Sequence, residues 1–174
     1  MAFNFSKLSI IVIEDTAPMR KLIISVLETL GVGQIYSAEN GEQGFELFRK
    51  FNPDIVISDW HMEPMNGLEL THEIRTNPLS PNRLVPIIVV SGYSATDRVS
   101  SARDVDNTKF LVKPFSANDL AKRLSYVINK PRDFIDSDGY FGPDRRRKND
   151  KDYIGPKRRE EDGATGAGKK SMKK

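Results

Sequence analysis

The run Asp54-Ile55-Val56-Ile57-Ser58-Asp59-Trp60-His61-Met62 decides how this chain folds. Ile55, Val56 and Ile57 are three consecutive β-branched residues with no polar face to give to water. Such a run reads as a strand buried on both sides, as in a parallel sheet. The run then stops at a carboxylate. In open α/β sheets ligands bind just beyond the carboxyl ends of the strands, which is where Asp59 falls. An Asp at a strand end also serves simply to cap the next turn, so the reading rests on the other strand ends.

Outward from that run the pattern repeats. Leu8 to Ile13 is an apolar strand ending in Glu14-Asp15. Thr16 is placed to cap a helix, and Pro18 suits its first turn. Met19, Leu22, Ile23, Val26, Leu27 and Leu30 recur at three and four residues and predict its apolar face, with Gly31 and Gly33 ending it. Gln34 to Ala38 is a short second strand and Glu39-Asn40-Gly41 a turn. Phe45, Leu47, Phe48 and Phe51 mark a second helix that stops before Pro53.

Beyond Asp59, Asn66-Gly67 opens a helix through about Arg75, with Leu68, Leu70 and Ile74 facing in. Residues 77–83 hold two prolines and read as a loop. Val85 to Val90 is a fourth strand ending in Ser91-Gly92, followed by a polar helix from Thr96 to about Arg103. Lys109 to Val112 is a fifth strand ending in Lys113-Pro114. Ser116 caps a last helix whose apolar positions include Leu120, Leu124, Val127 and Ile128. Five strands alternating with helices predict an α/β fold, a doubly wound five-stranded parallel sheet. Right-handed crossovers bring the strand ends to one edge.

Four of those ends carry polar groups: Glu14 and Asp15, Asp59, Ser91, and Lys113. Each alone has an ordinary explanation. Acids favour a helix N-terminus, Ser suits a turn, and Lys suits a solvated loop. Together they are a chemistry. Three crowded carboxylates repel one another and favour a hard divalent cation, and magnesium takes oxygen ligands while keeping waters and phosphate oxygens in its shell. A carboxylate nucleophile, a metal, an ammonium and a hydroxyl are what phosphoryl transfer to an Asp needs.

Composition narrows the classes. Residues 1–130 hold 14 Lys and Arg against 15 Asp and Glu, a net charge of −1; residues 131–174 hold 13 against 9, a net of +4. A near-neutral body with a basic tail points to an anionic partner for the tail. The chain has no Cys, which excludes a disulfide framework and a thiolate zinc site. Its apolar runs are too short to span a bilayer. The N-terminus lacks the basic stretch, apolar core and cleavage site of a secretory signal, so a cytoplasmic location is expected.

Residues 7–130 resemble the receiver domain of two-component response regulators, in the stand-alone CheY-like form. Carrying the resemblance are Ile13-Glu14-Asp15, Asp59-Trp60-His61-Met62 with Met65-Asn66-Gly67, Val90-Ser91-Gly92, and Lys113-Pro114-Phe115. It implies a flavodoxin-like (βα)5 fold, Asp59 as phosphoacceptor and a histidine kinase as donor. It further implies that Asp15, Asp59 and the backbone carbonyl of His61 bind Mg2+, with Glu14 acting through water. Ser91 and Lys113 would hold the phosphoryl oxygens. Phe110 takes the place of the family's switch aromatic, which turns inward as Ser91 moves toward the phosphate. The domain would catalyse its own phosphorylation and hydrolysis without being a turnover enzyme. Phosphorylation adds about −1.5 to −2 charges at one edge. The face made by the polar helix, the fifth strand and the last helix would change shape, and a docking protein would select one shape. Tyr126 and Asn118 fall on that face.

Two departures stand out. The family often has Pro four residues after the phosphoacceptor; here Glu63 sits there and Pro64 follows. Glu63 adds negative charge near the mouth of the site. The positions that tune hydrolysis would be His61 and Tyr93, both bulky, which is expected to alter how water reaches the acyl phosphate. A metal-binding role for the His61 ring is disfavoured, because imidazole suits zinc better than magnesium.

After Lys130-Pro131 the apolar periodicity vanishes, and residues 131–174 read as a disordered basic tail. Within it Tyr140-Phe141-Gly142-Pro143-Asp144-Arg145-Arg146-Arg147 is followed, 13 residues on, by Tyr153-Ile154-Gly155-Pro156-Lys157-Arg158-Arg159. Gly-Pro makes a bend, Tyr offers a stacking surface, and paired Arg forms a planar fork for phosphates or guanine edges. The tail resembles the arginine-rich extension of CheY-like effectors that bind cyclic di-GMP and act on motility or surface attachment. By that resemblance Tyr140, Arg145, Arg146, Arg147, Tyr153, Arg158 and Arg159 are the ligand-binding residues. A duplicated motif suits a ligand with two-fold symmetry.

The alternatives are a tail that contacts nucleic acid non-specifically, which would lose affinity steeply with salt, and a tail that only solubilises. A metal-dependent phosphatase on a similar sheet is disfavoured, since the body carries no cap domain or second acid motif.

Overall fold

The computed structural model describes residues 4–92, 108–129, 134–137 and 140–143. The chain divides into two compact units, Met1–Asp144 and Arg145–Lys174, and every described residue belongs to the first.

That unit is built on five parallel strands: β1 (Ser9–Ile13), β2 (Gln34–Ala38), β3 (Ile55–Asp59), β4 (Ile87–Ser91) and β5 (Thr108–Val112). Their order is β2-β1-β3-β4-β5, so β1, β3 and β4 are interior and β2 and β5 are edges. Burial follows position. Every residue of β3 and β4 is buried, whereas β2 buries only Ala38 fully. This is the doubly wound parallel sheet that the uninterrupted apolar runs predict, in the flavodoxin-like form that the resemblance implies.

Among the described residues, four helices flank it: α1 (Ala17–Thr29), α2 (Gly41–Phe51), α3 (Gly67–Thr76) and α4 (Ala117–Asn129). Two apolar cores result, one on each face. Ile11, Ile13, Val56, Ile87 and Val89 meet Phe45, Phe48, Leu70 and Ile74 on one side. Ile10, Val12, Ile57, Ile88 and Val90 meet Ile23, Leu27, Leu120 and Leu124 on the other. Alternate residues of one strand serve opposite cores, as the two-residue period of a strand requires. The helix expected at Thr96–Arg103 lies outside the described residues.

The local signals hold with exceptions. Asn66 caps α3 in a full capping box, its Oδ1 accepting from the N–H groups of Leu68 and Glu69 while Glu69 accepts from the N–H of Asn66. Thr16 occupies the N-cap of α1 but makes no side-chain cap bond; its hydroxyl donates to Asp15 Oδ1 at 3.2 Å instead. Leu22, expected on the apolar face of α1, is 51% exposed. Ile23 and Leu27 take the buried stripe, with Met19, Ile24, Val26 and Leu30 packed along its margins.

Arg75 is the least expected core residue. It is fully buried near the end of α3, and its guanidinium donates to the carbonyls of Arg83 at 2.7 Å and Val85 at 2.8 Å. Arg83 returns the bond, its Nε donating to the Arg75 carbonyl. The proline-containing loop is thereby pinned to α3 just before it enters β4. Arg75→Ala leaves these carbonyls without their partner and opens a cavity, so it is expected to cost about 3–4 kcal/mol. Urea unfolding would show this as a lower midpoint at unchanged slope.

Part of the expected disordered tail has structure. β6 (Phe134–Ser137) and β7 (Tyr140–Pro143) pair antiparallel, with Ser137 opposite Tyr140. Two residues separate the strands, Asp138-Gly139, the strongest short hairpin signal in a sequence. Charge-rich composition masks that signal when the tail is judged as a whole.

Candidate phosphoryl-acceptor site

The site forms where β1, β3, β4 and β5 end. Carboxylate oxygens of Glu14, Asp15 and Asp59 lie within 4.8 Å of one another. Glu14 and Asp59 are buried and Asp15 is exposed. Lys113 arrives from the end of β5, and its Nζ donates to Glu14 Oε2 at 2.9 Å and Asp59 Oδ1 at 2.7 Å. Its own N–H donates to the carbonyl of Ser91 at 2.7 Å, which fixes the last turn of β5 to the end of β4.

Asp59 is held at both oxygens, Oδ2 accepting the backbone N–H of His61 at 3.1 Å. The chain then turns sharply. Trp60 N–H donates to the Val90 carbonyl at 2.8 Å, and Gly67 N–H donates to the Trp60 carbonyl at 3.1 Å. A Cβ at Gly67 would collide with the carbonyl oxygen of Asp59. Glycine here is therefore a matter of close approach between helix and strand end.

Electrostatics are unbalanced: one ammonium serves two buried carboxylates. Burial pushes the Glu14 carboxyl above its ordinary range; Lys113 pulls it down, the charge of Asp59 pushes it up, and the upward effects prevail. For Lys113 burial pulls the ammonium down, but its bonds to Asp59 and Glu14 outweigh that and raise it. The remaining polar group is Ser91 Oγ, which is buried and has no hydrogen-bond partner among the described residues. A buried hydroxyl without a partner is costly. It fits a site that receives an oxygen-rich group.

An open cleft of about 770 Å³ adjoins the carboxylates, lined by Asp15, His61, Met62, Glu63, Pro64, Asn66 and Glu69. Glu63 and His61, the two departures within the described residues, are exposed along its wall. Phe110 is half-buried on β5 with its ring 5.6 Å from that of Trp60, tilted by 43°. On the same strand Lys109 sits over the Tyr126 ring of α4 at 4.8 Å.

The strand ends thus bring Glu14, Asp15, Asp59, Ser91 and Lys113 together, with His61 joining through its main chain. Tyr93, Arg145, Arg146, Arg147, Tyr153, Arg158 and Arg159 lie outside the described residues, and Tyr140 is described only as the start of β7. Sequence reading missed Arg20, whose guanidinium donates to the Glu14 carbonyl at 2.6 Å and to Glu39 Oε1 at 2.9 Å. No spacing rule announces a side chain that folds back on its own loop.

The model of the response regulator receiver domain matches residues 10–125. The chain belongs to that family. The receiver is 32% identical over 123 residues to the Chemotaxis protein CheY homolog of Campylobacter jejuni, covering 70% of this chain and 92% of that one. It is 30% identical over 130 residues to the Transcriptional regulatory protein PdtaR of Mycobacterium tuberculosis, covering 75% of this chain. The matched part is 61% of PdtaR's own length. Among solved structures, the receiver domain of a sensor histidine kinase from Pseudomonas aeruginosa superposes with a TM-score of 0.63 at 23% identity, covering 71% of this chain and 98% of that one. That structure has a magnesium ion coordinated in its active site cleft. Among the described residues of the receiver, no helix is long and apolar enough to cross a membrane.

Proposed function

We propose that this two-component receiver is a phospho-switch in which Asp59 takes a phosphoryl group from the phosphohistidine of a kinase. The observation that carries the reading is Ser91 Oγ, buried and unpartnered at the same sheet edge as the Lys113–Asp59 pair. A carboxylate oxygen of Asp59 attacks phosphorus, the P–N bond breaks, and the imidazole leaves with its electron pair. Ser91 donates to one phosphoryl oxygen and Lys113 to another. Asp15, Asp59 and the His61 carbonyl would hold Mg2+, with Glu14 reaching it through water; the cluster of three carboxylates fits that ion. When bound, it supplies charge neutralisation at the phosphoryl oxygens. Water later hydrolyses the acyl phosphate, so the domain resets itself without being a turnover enzyme.

The readout is a change of surface. Drawing Ser91 toward the phosphoryl group frees space for the Phe110 ring, already against Trp60. A groove beside it on β5 and α4, lined by Phe110, Asp119, Lys122, Arg123 and Tyr126, would present the altered face to a docking protein in the cytoplasm. Incubation with Mg2+ and acetyl phosphate should add one phosphoryl group to the intact chain by mass. No addition with any small phosphodonor would sink this reading.

The tail adds a second input, binding of cyclic di-GMP by the two Tyr-x-Gly-Pro-x-Arg-Arg copies, through Tyr140, Arg145, Arg146, Arg147, Tyr153, Arg158 and Arg159. Support comes from the duplication, which matches a two-fold symmetric ligand, and from paired Arg beside Tyr, which can fork and stack on guanine. Calorimetric titration of the full chain should give micromolar or tighter binding with a preference over GTP. Truncation after residue 144 leaves the first compact unit whole and should abolish that binding. Equal binding of any polyanion, falling steeply with salt, would instead mark a nucleic-acid tail.

A further inference from the structure

Arg20 stands beside the acidic site without belonging to the set that performs the chemistry. It lies in the first turns of α1, and its own N–H donates to the Thr16 carbonyl at 2.9 Å. Its side chain turns back, Nη1 donating to the Glu14 carbonyl at 2.6 Å. The peptide so held is the one joining Glu14 to Asp15. The opposite main-chain group of Glu14 is also fixed, its N–H donating to the Ala38 carbonyl at 3.2 Å. Nη2 meanwhile pairs with Glu39 Oε1 at 2.9 Å, in the turn between β2 and α2. One guanidinium thus fastens the loop carrying two acidic residues to the neighbouring loop. The Arg20 side chain is 15% exposed and that of Glu39 68%, so the arm to the Glu14 carbonyl is the shielded one.

We propose that Arg20 is a positioning residue for the divalent cation, setting the peptide plane from which Asp15 presents its carboxylate. The inference rests on the Mg2+ reading of the site. Asp15 is exposed and, among the described residues, its carboxylate has only the Thr16 hydroxyl, at 3.2 Å, as a partner, so its aim depends on the main chain beneath it. Magnesium demands near-ideal octahedral geometry at about 2.0–2.1 Å and tolerates little misplacement. Two effects oppose each other. The guanidinium charge repels a cation, whereas the fork orders its ligand. Glu39 neutralises the first, which leaves positioning to dominate. Lys cannot substitute, because an ammonium lacks the planar fork that spans the Glu14 carbonyl and Glu39 together.

The test is Mg2+ titration of the full chain, followed by the fluorescence of Trp60, the sole tryptophan and adjacent to Asp59. Losing an outer-shell partner typically weakens metal binding 10–100-fold. Since Arg20 holds main chain rather than a ligand, Arg20→Ala should raise the Kd about tenfold. Arg20→Lys should lose nearly as much, and Glu39→Gln should lose less. Melting curves in EDTA report folding separately, and a merely structural role would lower these without changing the Kd of the folded fraction. Should Arg20→Ala fail to fold, Arg20→Lys and Glu39→Gln carry the same comparison. A Kd within twofold of the unaltered chain in folded Arg20→Ala or Arg20→Lys, or a tighter one, overturns the proposal. If the unaltered chain binds no Mg2+, the metal reading falls and takes this inference with it.

Discussion

Asp59→Asn should abolish phosphoryl acceptance. Asn is nearly the same shape as Asp and its amide oxygen can still accept from Lys113, while its NH2 group gives up the bond from the His61 N–H; the ladder between β3 and β4 should keep the strand end in place. What it lacks is a nucleophilic oxygen with a charge to lose. Transfer from acetyl phosphate or a kinase should fall by roughly 10⁴-fold or more, the range seen when a catalytic nucleophile or its partner is removed. Mass spectrometry of the intact chain reads it directly. The same substitution removes one of the two buried carboxylates that share Lys113. The metal-free variant should therefore be no less stable than the unaltered chain. Undiminished incorporation in Asp59→Asn would move the acceptor elsewhere.

Removal of Lys113 should destabilise the metal-free chain and disarm the site at once. Glu14 is 1% exposed and Asp59 8% at the side chain, and Lys113 is the cation that contacts both. Taking away one partner of a buried pair costs about 3–5 kcal/mol, since it strands an uncompensated charge. Lys113 is itself 23% exposed, so water recovers part of this, and Lys113→Ala should cost about 2–3 kcal/mol in the metal-free chain. Mg2+ should restore most of it by replacing the lost positive charge.

The pH dependence has a definite sign. The Glu14 carboxyl is raised in the folded state above its usual 4.5, with burial as the main cause. The folded chain therefore binds that proton more tightly than the unfolded one. Its ionisation removes stability as pH climbs from 4.5 through the raised value. Without Lys113 the penalty grows, so Lys113→Ala should be rescued by mild acid as well as by Mg2+. Lys113 itself is raised above 10.5. Its contribution is whole below 10.5 and is lost as pH rises through its higher folded value. Urea unfolding at mildly acidic and neutral pH, with and without Mg2+, reads the Glu14 part, and a series at alkaline pH above 10.5 reads the Lys113 part. Equal stability of Lys113→Ala and the unaltered chain in EDTA at neutral pH would refute the account.

How much was legible beforehand differs by residue. The parallel sheet was, because Ile10–Ile13, Ile55–Ile57 and Ile87–Val90 are continuous apolar runs, and only a strand covered on both faces can bury one. Once the strands were placed, Glu14, Asp15, Asp59, Ser91 and Lys113 followed as neighbours, because parallel crossovers carry strand ends to one edge. The capping box at Asn66 was equally local, since its partners lie within three residues.

Other features were not local. Arg75 reads as a surface residue of an amphipathic helix; only the packed loop supplies the carbonyls that make its burial tolerable. Arg20 reads as an exposed helical cation; only the meeting of two loops turns it toward Glu14. The β6–β7 pairing was hidden by the charge around it, although Asp138-Gly139 is a hairpin signal in the sequence. Sequence alone determined the sheet and the meeting of Glu14, Asp15, Asp59, Ser91 and Lys113 at one edge of it, because burial and chain connectivity are properties of pattern. The balance of charge in the site, one ammonium against two buried carboxylates and one hydroxyl left without a partner, was decided by tertiary structure. Hydrogen bonds between residues as far apart as Glu14 and Lys113 exist only after the strands have docked.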